Sequence, residues 1–262
     1  MEPADKLLAA GDLDGARRSL VGTLRTEPRD PAARMLLFQL LCVMGEWEKA
    51  SAQLRAIAQL DPEAQMLQTA YNQVIAAEQA RAAAFAGTAA VTILVEAPDW
   101  MSALTRSLEA FGKGNAAEGN ELRGQAFDGA PDSAGTLNDR DFTRLADVDA
   151  RFGPVFEAMI AGRWGLIPFE AVSEIKSEGP RDLCDVVWLP IEITLRSGPG
   201  LAGFIPARYP GTELAPESEL RLGKRTEWRQ GASGEEGLGQ RQWFTDKGDE
   251  FDILSLRRLK FS

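Results

Sequence analysis

Gly11-Asp-Leu-Asp-Gly-Ala16 runs on to Leu20, Leu24 and Pro28, and Gly45-Glu-Trp-Glu-Lys-Ala50 runs on to Leu54, Ala58 and Pro62. Each matched pair is 34 residues apart, the period of a tetratricopeptide repeat. The physical content of the pattern is direct. Gly ends one helix and permits a tight turn, Ala sits where two helices touch, and Leu four residues later extends the same face. Pro closes the second helix. Helices are predicted over Pro31 to Met44, Trp47 to Leu60 and Pro62 to Phe85. A degenerate third copy spans Gly114 to Pro131, with Gly119 in the Ala place and Arg123 in the Leu place. Between the copies, Val91-Thr-Ile-Leu-Val95 reads as an extended insert, and Pro98-Asp-Trp100 opens a helix reaching Phe111.

Beyond this the character of the chain changes. Asp128 to Asp147 is rich in Gly, Asp, Ser, Asn and Pro and reads as a connector, which places a boundary near residue 135. Strand-like runs follow at Trp164–Phe169, Val172–Lys176, Trp188–Arg196, Leu201–Tyr209, Trp243–Phe244 and Ile253–Phe261. Val155 to Ala161, just after Pro154, reads as a short helix. The expected class is α+β. A tetratricopeptide-like helical domain over 1–135 precedes a small, mainly antiparallel α+β module over 136–262, its sheet barrel-like. The prolines of Trp188-Leu-Pro190 and Phe204-Ile-Pro-Ala-Arg-Tyr-Pro-Gly211 point to a blunted sheet edge.

The second half also carries dense blocks of Trp, Arg, Gly and Pro. They are Arg151-Phe-Gly-Pro-Val-Phe-Glu157, Asp185-Val-Val-Trp-Leu-Pro190, Gly203-Phe-Ile-Pro-Ala-Arg-Tyr-Pro-Gly211, Lys224-Arg-Thr-Glu-Trp228 and Gly237-Leu-Gly-Gln-Arg241. Together these blocks, with the helical first half, resemble the ImpE family, also called TagJ or SciE-type. The resemblance implies a non-enzymatic accessory role in bacterial type VI secretion. It also implies a partner, the small sheath subunit TssB, engaged through its N-terminal helix, with the sheath-disassembling ATPase ClpV in the same pathway. A helical-repeat groove suits such a helix. Phe38 and Trp47 are candidate contacts for it, although each equally fits a core position.

Composition narrows the alternatives. The 262 residues carry 29 basic and 39 acidic side chains, a net charge of −10, which argues against nucleic acid or an anionic membrane as partner. Of that charge, residues 1–86 contribute −2 and residues 87–262 contribute −8. There is no histidine, so the commonest general base and metal ligand are absent, and with them the Ser-His-Asp triad and its Cys-His relatives. Cys42 and Cys184 do not make a disulfide framework. No apolar run is long enough to span a membrane, and Met1-Glu-Pro-Ala-Asp5 lacks signal-peptide features, so a cytoplasmic location is expected. Gly198-Pro-Gly-Leu-Ala-Gly203 matches a dinucleotide fingerprint literally, but Phe204-Ile-Pro206 cannot open the required helix. Ser197-Gly-Pro-Gly200 reads instead as a hairpin turn, and no cofactor is expected.

What remains is a set of charges set among aromatic rings. Arg151, Glu157, Arg208, Glu213, Glu227 and Arg241 sit inside apolar blocks, beside Phe152, Tyr209 and Trp228, with Trp188 in the same candidate set. Arg stacking and Arg–carboxylate pairing are both available to them. One reading is a recognition surface, or an acid–base site of a hydrolase or transferase. The other is an internal network that organises the sheet and its loops.

Overall fold

The computed structural model describes residues 2–198 and 200–262. Seven helices come first: α1 (Glu2–Ala9), α2 (Leu13–Thr26), α3 (Pro31–Val43), α4 (Trp47–Leu60), α5 (Gln65–Phe85), α6 (Trp100–Gly112) and α7 (Ala116–Gly129). The repeat signature maps onto their turns. Gly11, Gly45 and Gly114 all have positive φ, at 78°, 71° and 78°, a left-handed conformation that strains a residue bearing a Cβ. Asp12 and Asn115 cap the helices that follow, accepting from the backbone N–H of Gly15 and Glu118. Ala16 and Ala50 are completely buried. At Gly119 the contact is closer still, since a Cβ there would fall 2.5 Å from the Phe111 ring. The degenerate copy is therefore a true helical hairpin, α6–α7.

The chain passes into sheet between Gly129 and Gly135. The strands are β1 (Gly135–Leu137), β2 (Arg140–Phe142), β3 (Leu145–Asp147), β4 (Val155–Ile160), β5 (Arg163–Pro168), β6 (Val172–Lys176), β7 (Trp188–Leu195) and β8 (Gly200–Pro206). A short helix α8 (Ser218–Arg221) precedes β9 (Thr226–Gly231), β10 (Gly234–Gly239), β11 (Gln242–Thr245), β12 (Glu250–Asp252) and β13 (Arg258–Phe261). Among the described residues eight strands form one antiparallel sheet in the order β2-β1-β13-β6-β7-β8-β4-β5. A three-stranded sheet, β12-β11-β3, and the β9–β10 hairpin complete the module.

Several expectations need correction. Val155 to Ala161 is not a helix but strand β4 and the start of its turn. Nearly every residue of β4 is buried, because one face meets the module's core and the other meets α5. The run therefore shows no alternation. Ala161 and Gly162, both at positive φ, make the tight turn into β5. The segment taken as a connector contains β1, β2 and β3, with Asn138 and Asp139 at positive φ turning β1 into β2. Ile253–Ser255 is a 3-10 turn, and only Arg258–Phe261 extends. The sheet does not close into a barrel, because β2 and β5 remain as edges. Pro190 and Pro206 lie in the interior strands β7 and β8, and Pro210 lies in the turn that follows β8. Pro190 sits in β7 beyond the last β6 pair, Lys176–Glu192, where the missing N–H costs no ladder bond. The expected hairpin at Ser197–Gly200 includes Pro199, which lies outside the described residues; β7 and β8 on either side pair antiparallel.

The edge at β5 is covered. The insert at 91–95 runs parallel to it, with Leu94 N–H donating to Leu166 O at 3.1 Å and Leu166 N–H donating to Thr92 O at 2.8 Å. Two cores result. One lies between the large sheet and the three-stranded sheet, around Phe156, Phe169, Trp243 and Leu259. The other is shared, since Leu20, Phe38 and Leu104 of the helices cluster with Trp164, Trp188 and Tyr209 of the module. Cys42 and Cys184 meet in this shared core. Burial and the contact with Cys42 push the Cys184 thiol well above its usual range. No helix among the described residues is long and apolar enough to cross a membrane.

Candidate functional site

The shared core contains most of the charges singled out in the sequence. Glu157, in the middle of β4, is 0% exposed. One of its oxygens accepts from Arg81 Nε at 2.6 Å and Trp164 Nε1 at 2.8 Å. The other accepts from Arg81 Nη2 at 3.0 Å and from Arg241 Nη2. Burial opposes the charge on Glu157, but Arg81 and Arg241 more than offset it and hold the carboxyl below its ordinary range. Arg241 is also 0% exposed. It pairs with Asp147 and lies over the rings of Phe152 and Tyr209, at 4.5 and 4.9 Å. The Tyr209 hydroxyl donates to Asp147 Oδ1 at 2.9 Å and accepts from Gln242 N–H at 3.0 Å. Burial, with help from neighbouring Asp149, outweighs Arg241 and pushes Asp147 up to about 6.

The network crosses from module to helices through α5 and through the end of α3. Arg81 of α5 reaches Glu157 and also donates to Glu78 Oε1 at 2.8 Å, one helical turn away. Glu78 Oε2 accepts from Trp188 Nε1 at 2.8 Å. Arg208 takes a different route. Its Nη1 donates to the carbonyls of Val43, at the end of α3, and Arg221, at the end of α8, at 2.9 and 2.6 Å. Without a paired carboxylate, its buried guanidinium is lowered to about 10 by desolvation. Arg151 grips Asp149, whose Oδ2 also accepts from Gly237 N–H at 2.8 Å.

Glu157, Arg241, Tyr209, Trp188, Arg208 and Arg151 thus converge on the interface. Glu213 packs over Gly45, where a Cβ would meet its Cγ at 2.7 Å. Trp228 stands edge-on to Tyr209 at 5.6 Å. Glu227 is apart, on the outer hairpin, paired with Arg225 and, at 3.8 Å, with Arg229. Phe38 is completely buried and edge-on to Tyr71 at 5.0 Å. Trp47 is half-buried with its ring 5.6 Å from Trp188. Both aromatics therefore pack within or against the fold.

The sequence reading overlooked Glu78, Arg81, Asp147, Asp149 and Trp164. A signal existed for the first two: they are the charges inside an otherwise Ala-rich helix, three apart on its buried face. The chemistry open to this cluster is restricted. Glu157 is saturated by donors and sealed from solvent, so it offers no lone pair to a substrate proton. What the arrangement does is join the helices to the sheet module through paired buried charges, within the core that both share.

The fold and site define a class, tetratricopeptide-like helical repeats clamped to an antiparallel sheet module by a buried ionic interface. A family model described as ImpE protein matches residues 139–260, and a tetratricopeptide-repeat model matches residues 7–73. The chain is 40% identical to the type VI secretion system accessory component TagJ of Pseudomonas aeruginosa, over 98% of this chain and 90% of that protein. It belongs to the ImpE/TagJ family. A crystal structure of a Vibrio parahaemolyticus protein shares the fold at a TM-score of 0.87 and 25% identity, covering 99% of this chain and 97% of the other.

Proposed function

We propose that the chain is a non-enzymatic accessory protein of a bacterial type VI secretion system, working in the cytoplasm. On this reading its helical repeats hold the N-terminal helix of the small sheath subunit TssB and modulate sheath assembly or ClpV-dependent turnover. The observation that carries the accessory role is the 40% identity to TagJ across nearly the whole chain. The binding mode draws support from the helical repeats, an architecture that takes partner helices in surface grooves. The non-enzymatic character draws support from Glu157 and its partners Arg81 and Arg241, which are buried and paired with one another. On this reading Phe38 and Trp47 act from inside the fold, by stiffening the repeats. The acidic net charge fits a protein partner better than nucleic acid or membrane.

Calorimetry of the full chain with a synthetic N-terminal helix of the TssB encoded by the same genome tests this. The full chain is the right material because the repeats share a core with Trp188 and Tyr209. Saturable binding to that peptide, and none to a scrambled one, is expected. Absence of binding by folded protein overturns the adaptor reading.

A further inference from the structure

Helices α2, α3 and α4 enclose an open groove of about 770 Å³ on the surface of the repeats. Leu37 and Leu41 of α3 form its floor and Val21 of α2 one wall. Arg18 and Arg25 stand exposed on the α2 rim, and Lys49 on the α4 rim. Glu46 is the carboxylate of the lining, and Arg17 and Lys49 hold it. Arg18 and Arg25 have no hydrogen-bond or ion-pair partner among the described residues. In a chain of net charge −10, this is a local reversal of sign.

Gly22 is a second, independent observation. It lies in the interior of α2 and lines the same groove. A Cβ there would meet nothing within 4 Å. Glycine weakens a helix relative to alanine, and nothing inside the molecule requires it here. What it provides is a bare backbone on which another backbone can lie closely. Arg18, Val21, Gly22 and Arg25 recur at three- and four-residue spacing, a stripe about 10 Å long on one helix face.

We propose that this groove holds the partner helix, and that the helix is amphipathic, with an apolar stripe flanked by carboxylates. The apolar floor receives the stripe, and the unpaired arginines meet the carboxylates. No aromatic ring lines the groove, so it lacks the stacking platform that a single-stranded nucleic acid uses. This assignment rests on the helix-binding reading above and adds to it a location and a charge pattern.

The test uses the full chain and the TssB N-terminal helix peptide, titrated by calorimetry at two salt concentrations. Three variants are compared with the parent. They are R18E/R25E, G22L, and A70R, which alters a separate groove between α5 and the exposed part of the large sheet. G22L replaces glycine by a better helix former in open space, so its Tm is expected to hold or rise, which separates lost binding from lost folding. Binding is expected to weaken at least about tenfold in R18E/R25E and in G22L, to weaken with salt in the parent, and to be unchanged in A70R. If the parent binds and both α2 variants bind equally well, the groove assignment falls and the helix-binding reading stands. If A70R alone loses binding, the site lies in the other groove. If the parent does not bind, both readings fall together.

Discussion

Two sets of arginines in this molecule differ in one physical respect. Where the helices meet the sheet module, Arg81 and Arg241 are closed off by a carboxylate, Glu157, that is itself fully buried. On α2, Arg18 and Arg25 stand in water beside an apolar floor. The first set has no capacity left for another molecule, whereas the second has all of its capacity free. The richest cluster of charge and aromatic rings in the sequence is therefore the part that organises the fold, while a plainer helix presents the surface suited to recognition. Structural ion-pair networks perturb their members as functional sites do, so a dense charged motif is not by itself a sign of function.

The comparison breaks most visibly at Glu157. Replacing it by Gln leaves Arg81 and Arg241 short of a buried anion, and the expected loss is about 3–5 kcal/mol in urea unfolding. Because the helices and module share one core, a single cooperative transition is expected to shift. A loss under about 1 kcal/mol would mean the interface network is not a clamp.

Asp147 sharpens the picture through pH. Its ordinary value of 3.8 is pushed up to about 6 in the folded chain. Between about pH 4 and 6 the unfolded chain releases this proton first, so Asp147 lowers stability as pH rises through that window. Asp147→Asn lacks the titration. It is expected to gain on the parent by up to roughly 3 kcal/mol from pH 4 to pH 7, measured by chemical denaturation at fixed salt. Glu157 has the opposite sign: its folded value is lowered, so its contribution is present at neutral pH and is lost as pH falls. A parent-minus-variant difference that is flat across the window would show that Asp147 is not perturbed as described.

Glu227→Gln tests the same residue chemistry outside the core. Its partners Arg225 and Arg229 are solvent-facing, and the expected effect is under about 1 kcal/mol. Smallest of all, Arg18→Ala with Arg25→Ala is expected to change stability by no more than about 0.5 kcal/mol. A large destabilisation there would put α2 with the structural charges and remove the contrast.

The helical hairpins were legible because their determinants are local. Gly11, Gly45 and Gly114 need positive φ, and Ala16, Ala50 and Gly119 need a small side chain, whatever surrounds them. Strand β7 was legible from alternation, because one face is more exposed than the other, whereas in β6 a bulge between Val172 and Glu174 leaves the buried residues three apart. β4 was not, since burial on both faces erases the period that marks a strand. The β9–β10 hairpin was hidden by its glycines and charges. One of those glycines, Gly237, is explained only by the Tyr209 ring, 2.3 Å from where its Cβ would be.

The sequence by itself determined the helical repeats, the switch to an antiparallel module, the absence of histidine chemistry and the residue types of the ionic cluster. Only the tertiary structure decided that this cluster is internal. Glu157 meets Arg81 across 76 residues and Arg241 across 84, and Trp188 meets Glu78 across 110. Local patterns follow from backbone sterics and helical or strand period. Whether a charge faces a partner or solvent depends on which distant surface the fold brings against it, and no short-range pattern encodes that.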